Sequence, residues 1–323
     1  MRARTLFIAV ALPASAALAG TCYVVQPIAG GRAMSSTAPA VSAERLEGHV
    51  RALSEEFVPR DYTHPQNLNR AAAYIRDELE RAGGRVTVQD FDVRGTTYRN
   101  VVASFGPEEG ERIVVGAHYD AAGPYPAADD NASGVAGLLE LARLLSAAPP
   151  GTRVDLVAFP LEEPPFFRTG HMGSAVHARS LRAQGVKVRL MMSLEMIGYF
   201  SDAEGSQQFP LAVLKAFYPS RGNFITVIGT LGQAAAVRRV KRAMRKASPL
   251  PVHSINAPRW IPGVDFSDHA SYWDEGYAAV MITDTAFYRN PHYHTAHDTA
   301  ETLDYARMAM VVQGIHAAVL RLD

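Results

Sequence analysis

A single cysteine, Cys22, is the only thiol in 323 residues. The chain can form no internal disulfide, and beyond its N-terminal stretch it offers no thiolate as nucleophile or metal ligand. Any catalysis must then run on oxygen and imidazole groups. An excess of one charge is missing too: Lys+Arg and Asp+Glu balance at 32 each. Nothing in that total points to nucleic acid or to an acidic surface as partner. A GxxxxGK[ST] stretch and a clear GxGxxG are both lacking, and with them the signal for a phosphate cradle. What remains is a composition 48% hydrophobic and 20% charged, suited to a globular protein with a large core.

The N-terminus reads "MRARTLFIAVALPASAALAG", a basic start followed by an apolar run with small residues ending in "ALA". That is the pattern of a secretory signal peptide. The uncharged run continues past Tyr23 to Gly31, long enough to span a bilayer as an uncleaved anchor. The stretch "LAGTC" is an imperfect lipid-attachment box, giving a third reading with Cys22 as the anchor. All three place the bulk of the protein outside the cytoplasm: secreted, or periplasmic in the cell envelope, with membrane attachment only through the N-terminal segment. Residues 1–25 are accordingly a signal peptide or N-terminal anchor. Residues 26–42, rich in Gly, Pro, Ser and Ala, are a linker. With no internal repeat and no second linker, 43–323 form one domain.

Within that domain the pattern is α/β. Apolar residues recur at helical spacing in "AERLEGHVRALSEEF", "NLNRAAAYIRDELERAGG", "SGVAGLLELARLLSAA", around 173–184, in "QAAAVRRVKRAMRKAS" and over roughly 301–322. Strand-like runs are "RVTVQDFDV", "YRNVVASF", "RIVVGAH", "RVDLVAFP", "VRLMMSLEMIGY", "FITVIGT" and "YAAVMITDT". Strands alternating with helices imply a mainly parallel sheet covered on both faces.

Polar residues recur where these strands stop. "RIVVGA" runs into His118 and Asp120, "VDLVAFPL" into Glu162 and Glu163, "RLMMSL" into Glu195, and "AAVMITDT" is followed by "HYHTAHDT". Ligands of open α/β sheets bind beyond the carboxyl ends of the strands. Alone, an HxD is a common surface loop, an EE pair a solvated turn, and "DDNASG" a helix start with acids against the dipole. Four strands delivering acids or imidazoles to one edge instead match a metal site, and imidazole with carboxylate suits zinc.

"HYD", "DDNASG", "EE", "LEMIGY", "SDHASYW" and "HYHTAHDT", in this order and spacing, resemble the M28 family of zinc metallopeptidases over most of residues 100–310. The resemblance implies an α/β, three-layer sandwich around a mixed, mainly parallel eight-stranded sheet. It implies two zinc ions per chain and aminopeptidase activity on peptide substrates, with no nucleic-acid partner. It assigns His118, Asp130 and Glu195 to one zinc, and Asp130, Glu163 and His294 to the other. Asp120 would orient His118. Glu162 would be the general base, and Tyr293 a donor to the oxyanion or plain packing beside His294. A cis peptide is expected at Asp130–Asn131, and Asp129 is expected to be a loop acid holding no metal.

The departures are informative. Glu195 stands where many members carry aspartate, so its longer arm must still reach. "EEPPFFRTGHMGS" is longer than the usual link, making 164–171 a bulge beside the cleft. "IPGVDF" lacks the tyrosine or disulfide that other members place before "SDH". Asp268 and His269 either support the site or begin a helix. His171, His292 and His297 carry no assigned role. The segment 201–223 reads as an insertion over the cleft. Two other functions share the scaffold: a glutaminyl cyclase-type zinc acyltransferase, which the intact "DDNASG" disfavours, and a non-catalytic binding domain, which the retained ligands and Glu162 disfavour.

Overall fold

The computed structural model describes residues 23–26 and 40–323. Most of the expected signal or anchor (1–22) and of the expected linker (27–39) therefore lies outside the described residues. The helix α1 (Ala43–Arg51) begins where the Ser42 side chain accepts the Arg45 N–H, one of the donors a helix start leaves unpaired, and it buries Leu46 and Val50. α2 (Pro65–Arg81) opens with proline, whose missing N–H costs nothing there, and buries Leu68, Ala71, Ala72, Ile75 and Leu79 along one stripe. A hairpin follows, β1 (Arg85–Val93) and β2 (Thr96–Phe105). Then come β3 (Arg112–His118), α3 (Gly134–Ala147), β4 (Arg153–Phe159), α4 (Gly173–Ala183) and β5 (Val188–Glu195). β6 (Ile225–Gly229), α5 (Ala234–Ala247), β7 (Val252–Asn256), α6 (His269–Asp274), β8 (Ala279–Thr283) and α7 (Tyr305–Leu322) complete it.

The strands form one eight-stranded sheet in the order β1-β2-β4-β3-β5-β8-β6-β7. Its centre, β4-β3-β5-β8, is parallel, whereas β2 and β6 run against their inner neighbours. Side chains alternate between faces, as the pleat requires. Ile113 and Val115, Leu156 and Ala158, and Leu190 and Met192 join a core with α1, α2, α3, α5 and α7. Val114, Val157, Phe159 and Met191 face a second core with Ala178 and Leu181 of α4 and Tyr272 of α6. Helices cover both faces, and the three-layer sandwich around a mixed, mainly parallel eight-stranded sheet is the observed architecture.

Seven of the eight strands were readable as apolar runs. β7, "VHSIN", was not, because five residues with a histidine and an asparagine among them look like a loop. Its pairing with β6 supplies what its composition does not. α6 was half visible: Asp268 immediately precedes it and His269 is its first residue, so the helix-start alternative holds. Because β3, β4, β5 and β8 are parallel, their carboxyl ends open on one edge of the sheet, and every predicted site residue stands at or after one of those ends.

Candidate metal centre

His118 is the last residue of β3 and fully buried. Its Nδ1 lies 3.2 Å from the carbonyl oxygen of Asp120 and 3.5 Å from the Asp120 carboxylate. A proton on Nδ1 shared with these acceptors leaves the Nε2 lone pair free for a ligand. Nε2 stands 3.4 Å from Asp130 Oδ1 and 3.5 Å from Glu195 Oε2. The second oxygen of Asp130 faces the other way, with Oδ2 3.0 Å from His294 Nε2. That same Nε2 is 3.3 Å from Glu163 Oε1. Two groups of donors thus share Asp130: His118, Asp130 and Glu195 in one, Asp130, Glu163 and His294 in the other. The longer arm of Glu195 reaches, and Ser267 Oγ donates to its Oε2 at 2.7 Å.

Hydrogen bonding does not explain these contacts. His118 Nε2, His294 Nε2 and Glu163 Oε1 are buried without a hydrogen-bond partner among the described residues. Zinc ligands at about 2.0–2.2 Å in a tetrahedron stand roughly 3.3–3.5 Å apart, close to these separations. The electrostatics agree. Asp130, Glu162, Glu163 and Glu195 are packed together and buried, at a cost that grows with each unpaired charge. Burial and the Asp130 charge push Glu163 up to about 8, and burial pushes Asp268 up to about 7. Burial alone would raise Asp130 as well, but His118 and His294 overcome it and hold its carboxyl low. A concentration of buried acids with two uncommitted imidazoles fits a divalent cation, and the absence of sulfur fits zinc over softer-ligand metals.

Glu162 is buried beside the cluster, offering a carboxylate oxygen within 4.8 Å of donors from His118 and Glu163. Its carboxylate accepts no hydrogen bond among the described residues. Tyr293 stacks on the His294 ring at 3.8 Å between centroids. Burial raises its phenol, so it stays protonated and able to donate. Glu195 and Tyr293 also border a largely apolar cavity of about 100 Å³, with Leu214, Ile228, Ile255, Ile261, Phe266 and Met281 in its wall. Gln207, Phe209, Leu214 and Tyr218 of the segment 201–223 line the same cavity, where an insertion over the cleft is expected to lie.

Several supporting roles carried no readable signal. Asp120 accepts the amides of both Glu162 (3.2 Å) and Glu163 (3.1 Å), so it fixes the acid pair as well as the imidazole. Asp298 accepts the amides of Asp129 (2.9 Å) and Asp130 (3.0 Å) with its two oxygens. Arg60, fully buried, donates to the carbonyls of Leu53, Tyr119, Pro126 and Ala127 and so clamps the loop between His118 and Asp130. Asn131, after the cis peptide that joins it to Asp130, binds Leu194 O through Nδ2 and accepts from Met196 N through Oδ1. Only partners distant in the chain reveal these roles.

Asp129 is absent from the donor groups among the described residues, and it is fully buried, accepting from Gly198 N and Asn290 Nδ2, each at 2.9 Å. His171 and His297 are exposed, and His292 stacks edge-on against Tyr199. His269 binds Val264 O through Nε2 and packs on Trp273. None of these four belongs to a donor group among the described residues.

The comparisons with known proteins agree with this architecture. The chain is 51% identical to YfbL of Escherichia coli K12, an uncharacterized protein, over 88% of this chain and 89% of YfbL. It shares its fold with BSAP, a zinc aminopeptidase from Bacillus subtilis, at a TM-score of 0.69 and 16% identity, over 88% of this chain and 95% of that one. It matches a glutaminyl cyclase of Bacteroides thetaiotaomicron, solved with N-acetylhistamine, equally well: TM-score 0.68, 22% identity, 88% and 99% covered. At such identities these two show a common fold and nothing finer. The model of peptidase family M28 matches residues 100–319, a span holding every strand end that converges on the paired donor groups, and the chain is therefore a metallopeptidase of family M28.

Proposed function

We propose that the chain is a two-zinc aminopeptidase that releases N-terminal residues from peptides outside the cytoplasm, its peptidase domain occupying 43–323 behind the N-terminal signal or anchor. The observation that carries this reading is the position of Asp130, whose two oxygens face two different histidines. His118, Asp130 and Glu195 would hold one zinc; Asp130, Glu163 and His294 the other. Bound zinc supplies a Lewis acid that makes water a nucleophile at neutral pH and polarises the scissile carbonyl.

The chain's own residues do the rest. The Glu162 carboxylate takes the proton of the attacking water and hands it to the departing amine, so the peptide nitrogen leaves as a neutral amine. Tyr293 donates its phenolic O–H to the oxygen on which negative charge develops. Asp120 holds His118 and both glutamate amides, keeping base and ligands in register. The apolar cavity beside Glu195 and Tyr293 favours a substrate whose N-terminal residue carries a large apolar side chain.

The cyclase fold similarity makes internal transfer the competing reaction, and the presence of two donor groups sharing Asp130, where a cyclase uses one zinc, favours hydrolysis over it. A panel of aminoacyl-arylamides, an N-acetylated peptide and a Gln-initiated peptide separates the two. The expected result is turnover of Leu- and Phe-arylamides, an untouched blocked peptide, and release of free glutamine from the third. Ammonia release from the Gln-initiated peptide without hydrolysis would establish the cyclase instead.

A further inference from the structure

The balanced total charge conceals a local imbalance. From Gly205 to Val264 there is no aspartate or glutamate, while Lys215, Arg221, Arg238, Arg239, Lys241, Arg242, Arg245, Lys246 and Arg259 all fall in that stretch. The centre of this run is α5. Its arginines 238, 239 and 242 are exposed, and with Arg321 of α7 they line an open groove of about 660 Å³ whose wall contains no acid. None of the four forms an ion pair with a carboxylate among the described residues. Four like charges left together and unpaired lower stability by mutual repulsion, which points to an anionic occupant.

The groove's other wall is Tyr23, from the short N-terminal piece that the structure describes. That piece is fastened to the domain. Tyr23 donates its hydroxyl to Leu231 O (2.6 Å), Gln26 Nε2 to Ala234 O (2.6 Å), Asn256 Nδ2 to Tyr23 O (3.1 Å), and Lys241 Nζ to Gln26 O (2.9 Å). Tyr23–Gln26 belong to the run 5–31, which carries no charged residue in the sequence. The exposed side chains of Tyr23 and Leu231 supply the amphipathic and apolar contacts that suit a membrane–water interface.

Topology then fixes the direction. β6 pairs antiparallel with β8, Thr226 opposite Thr283 and Ile228 opposite Met281. The end of β6, and with it Leu231 and the start of α5, therefore lies at the sheet edge opposite the one where β3, β5 and β8 deliver His118, Glu195 and the loop to His294. The arginine groove and the donor groups occupy opposite edges of the molecule.

We propose that the groove of Arg238, Arg239, Arg242 and Arg321 is a binding site for anionic phospholipid head groups. It seats the domain on the bilayer that the N-terminal segment reaches, with the catalytic cleft facing away. Guanidinium groups engage phosphate in bidentate fashion, and each basic side chain near an anionic surface contributes about fivefold in affinity.

The test uses the full chain with its cellular N-terminus, mixed with vesicles of phosphatidylcholine alone or with one quarter phosphatidylglycerol. Phenylglyoxal modification of each arginine is followed by mass spectrometry. Arg94, exposed in the β1–β2 turn at the opposite edge, is the internal control. Modification of the four groove arginines should slow at least about fivefold on the phosphatidylglycerol vesicles. It should recover in 0.5 M salt, with Arg94 unchanged throughout. In the R238E/R239E/R242E variant, the protection of Arg321 should vanish; if that variant misfolds, R238Q/R239Q/R242Q serves. Equal rates on both vesicles, or an Arg321 still protected in the variant, would overturn the proposal. So would equal protection by inorganic phosphate or by a short DNA duplex at matched charge, since the groove would then be a general anion site.

Discussion

Asp298 and Asp120 act through the backbone. Each spends both carboxylate oxygens on consecutive amides, Asp298 on those of Asp129 and Asp130, Asp120 on those of Glu162 and Glu163. A ligand acid whose peptide is tied down cannot swing out when charge around it changes. Asp298→Asn replaces one of those acceptors with a donor that opposes an N–H. Metal affinity, measured by chelator competition, should drop about 10–100-fold while the circular dichroism spectrum stays as it is. Glu162→Gln is a different kind of change, since it removes a proton acceptor and leaves every proposed ligand in place. That variant should retain its zinc by elemental analysis and lose about 10²–10⁴ in kcat; normal turnover would refute the base assignment. At this scale the sequence showed the ligand candidates, because imidazole and carboxylate at strand ends are chemically conspicuous. It hid Asp298 and Arg60, whose partners lie up to 169 positions away.

Secondary-structure elements carry the acid sensitivity. His177 of α4 pairs its Nδ1 with the Tyr272 hydroxyl of α6 at 2.6 Å, joining two helices on the same sheet face. Burial lowers its imidazole to about 4. His253 of β7, half-buried against Phe224 and near Lys241, is likewise lowered to about 4. The native state keeps both neutral where the unfolded chain, at about 6.5, already takes up protons. Their stabilising contribution is therefore complete above pH 6.5 and is lost as pH falls from there towards 4. Each accounts for up to about 1.4 kcal/mol per pH unit in that window. Urea unfolding at pH 7 and pH 5 should show His177→Asn losing less stability over that interval than the parent protein does, the difference between the two isolating the imidazole. Elements were legible by their apolar pattern: α2 and α7 from periodicity, the five-residue β6 and β8 as apolar runs, and β7, equally short but polar, not at all, since it becomes a strand only through its pairing with β6.

For the whole molecule, the question is how a buried core tolerates Asp130, Glu162, Glu163, Glu195 and Asp268 beside one another. Glu163 near 8 and Asp268 near 7 record what burial among like charges does in the absence of a cation. Zinc binding to the native state alone adds stability by mass action, about 4 kcal/mol when free metal is 1,000-fold above its Kd. Stripping the metal with dipicolinate should lower the thermal midpoint by several degrees and abolish peptidase activity, with both restored by zinc. An unchanged midpoint on full metal removal would show that the donor groups do not bind metal in the folded protein.

Apolar periodicity determined the α/β class, and the order of the strand-end motifs, through its resemblance to family M28, pointed to the family and to the donor candidates, because those depend on residue types and their spacing. Tertiary structure alone decided that Asp130 stands between two imidazoles and that Asp129, its apparent twin, is locked by Gly198 and Asn290 instead. It alone brought the four arginines of α5 and α7 together on the edge opposite the cleft. The physical reason is common to all three: distance between side chains depends on strand order and direction, and neither is written in the spacing of residues along the chain.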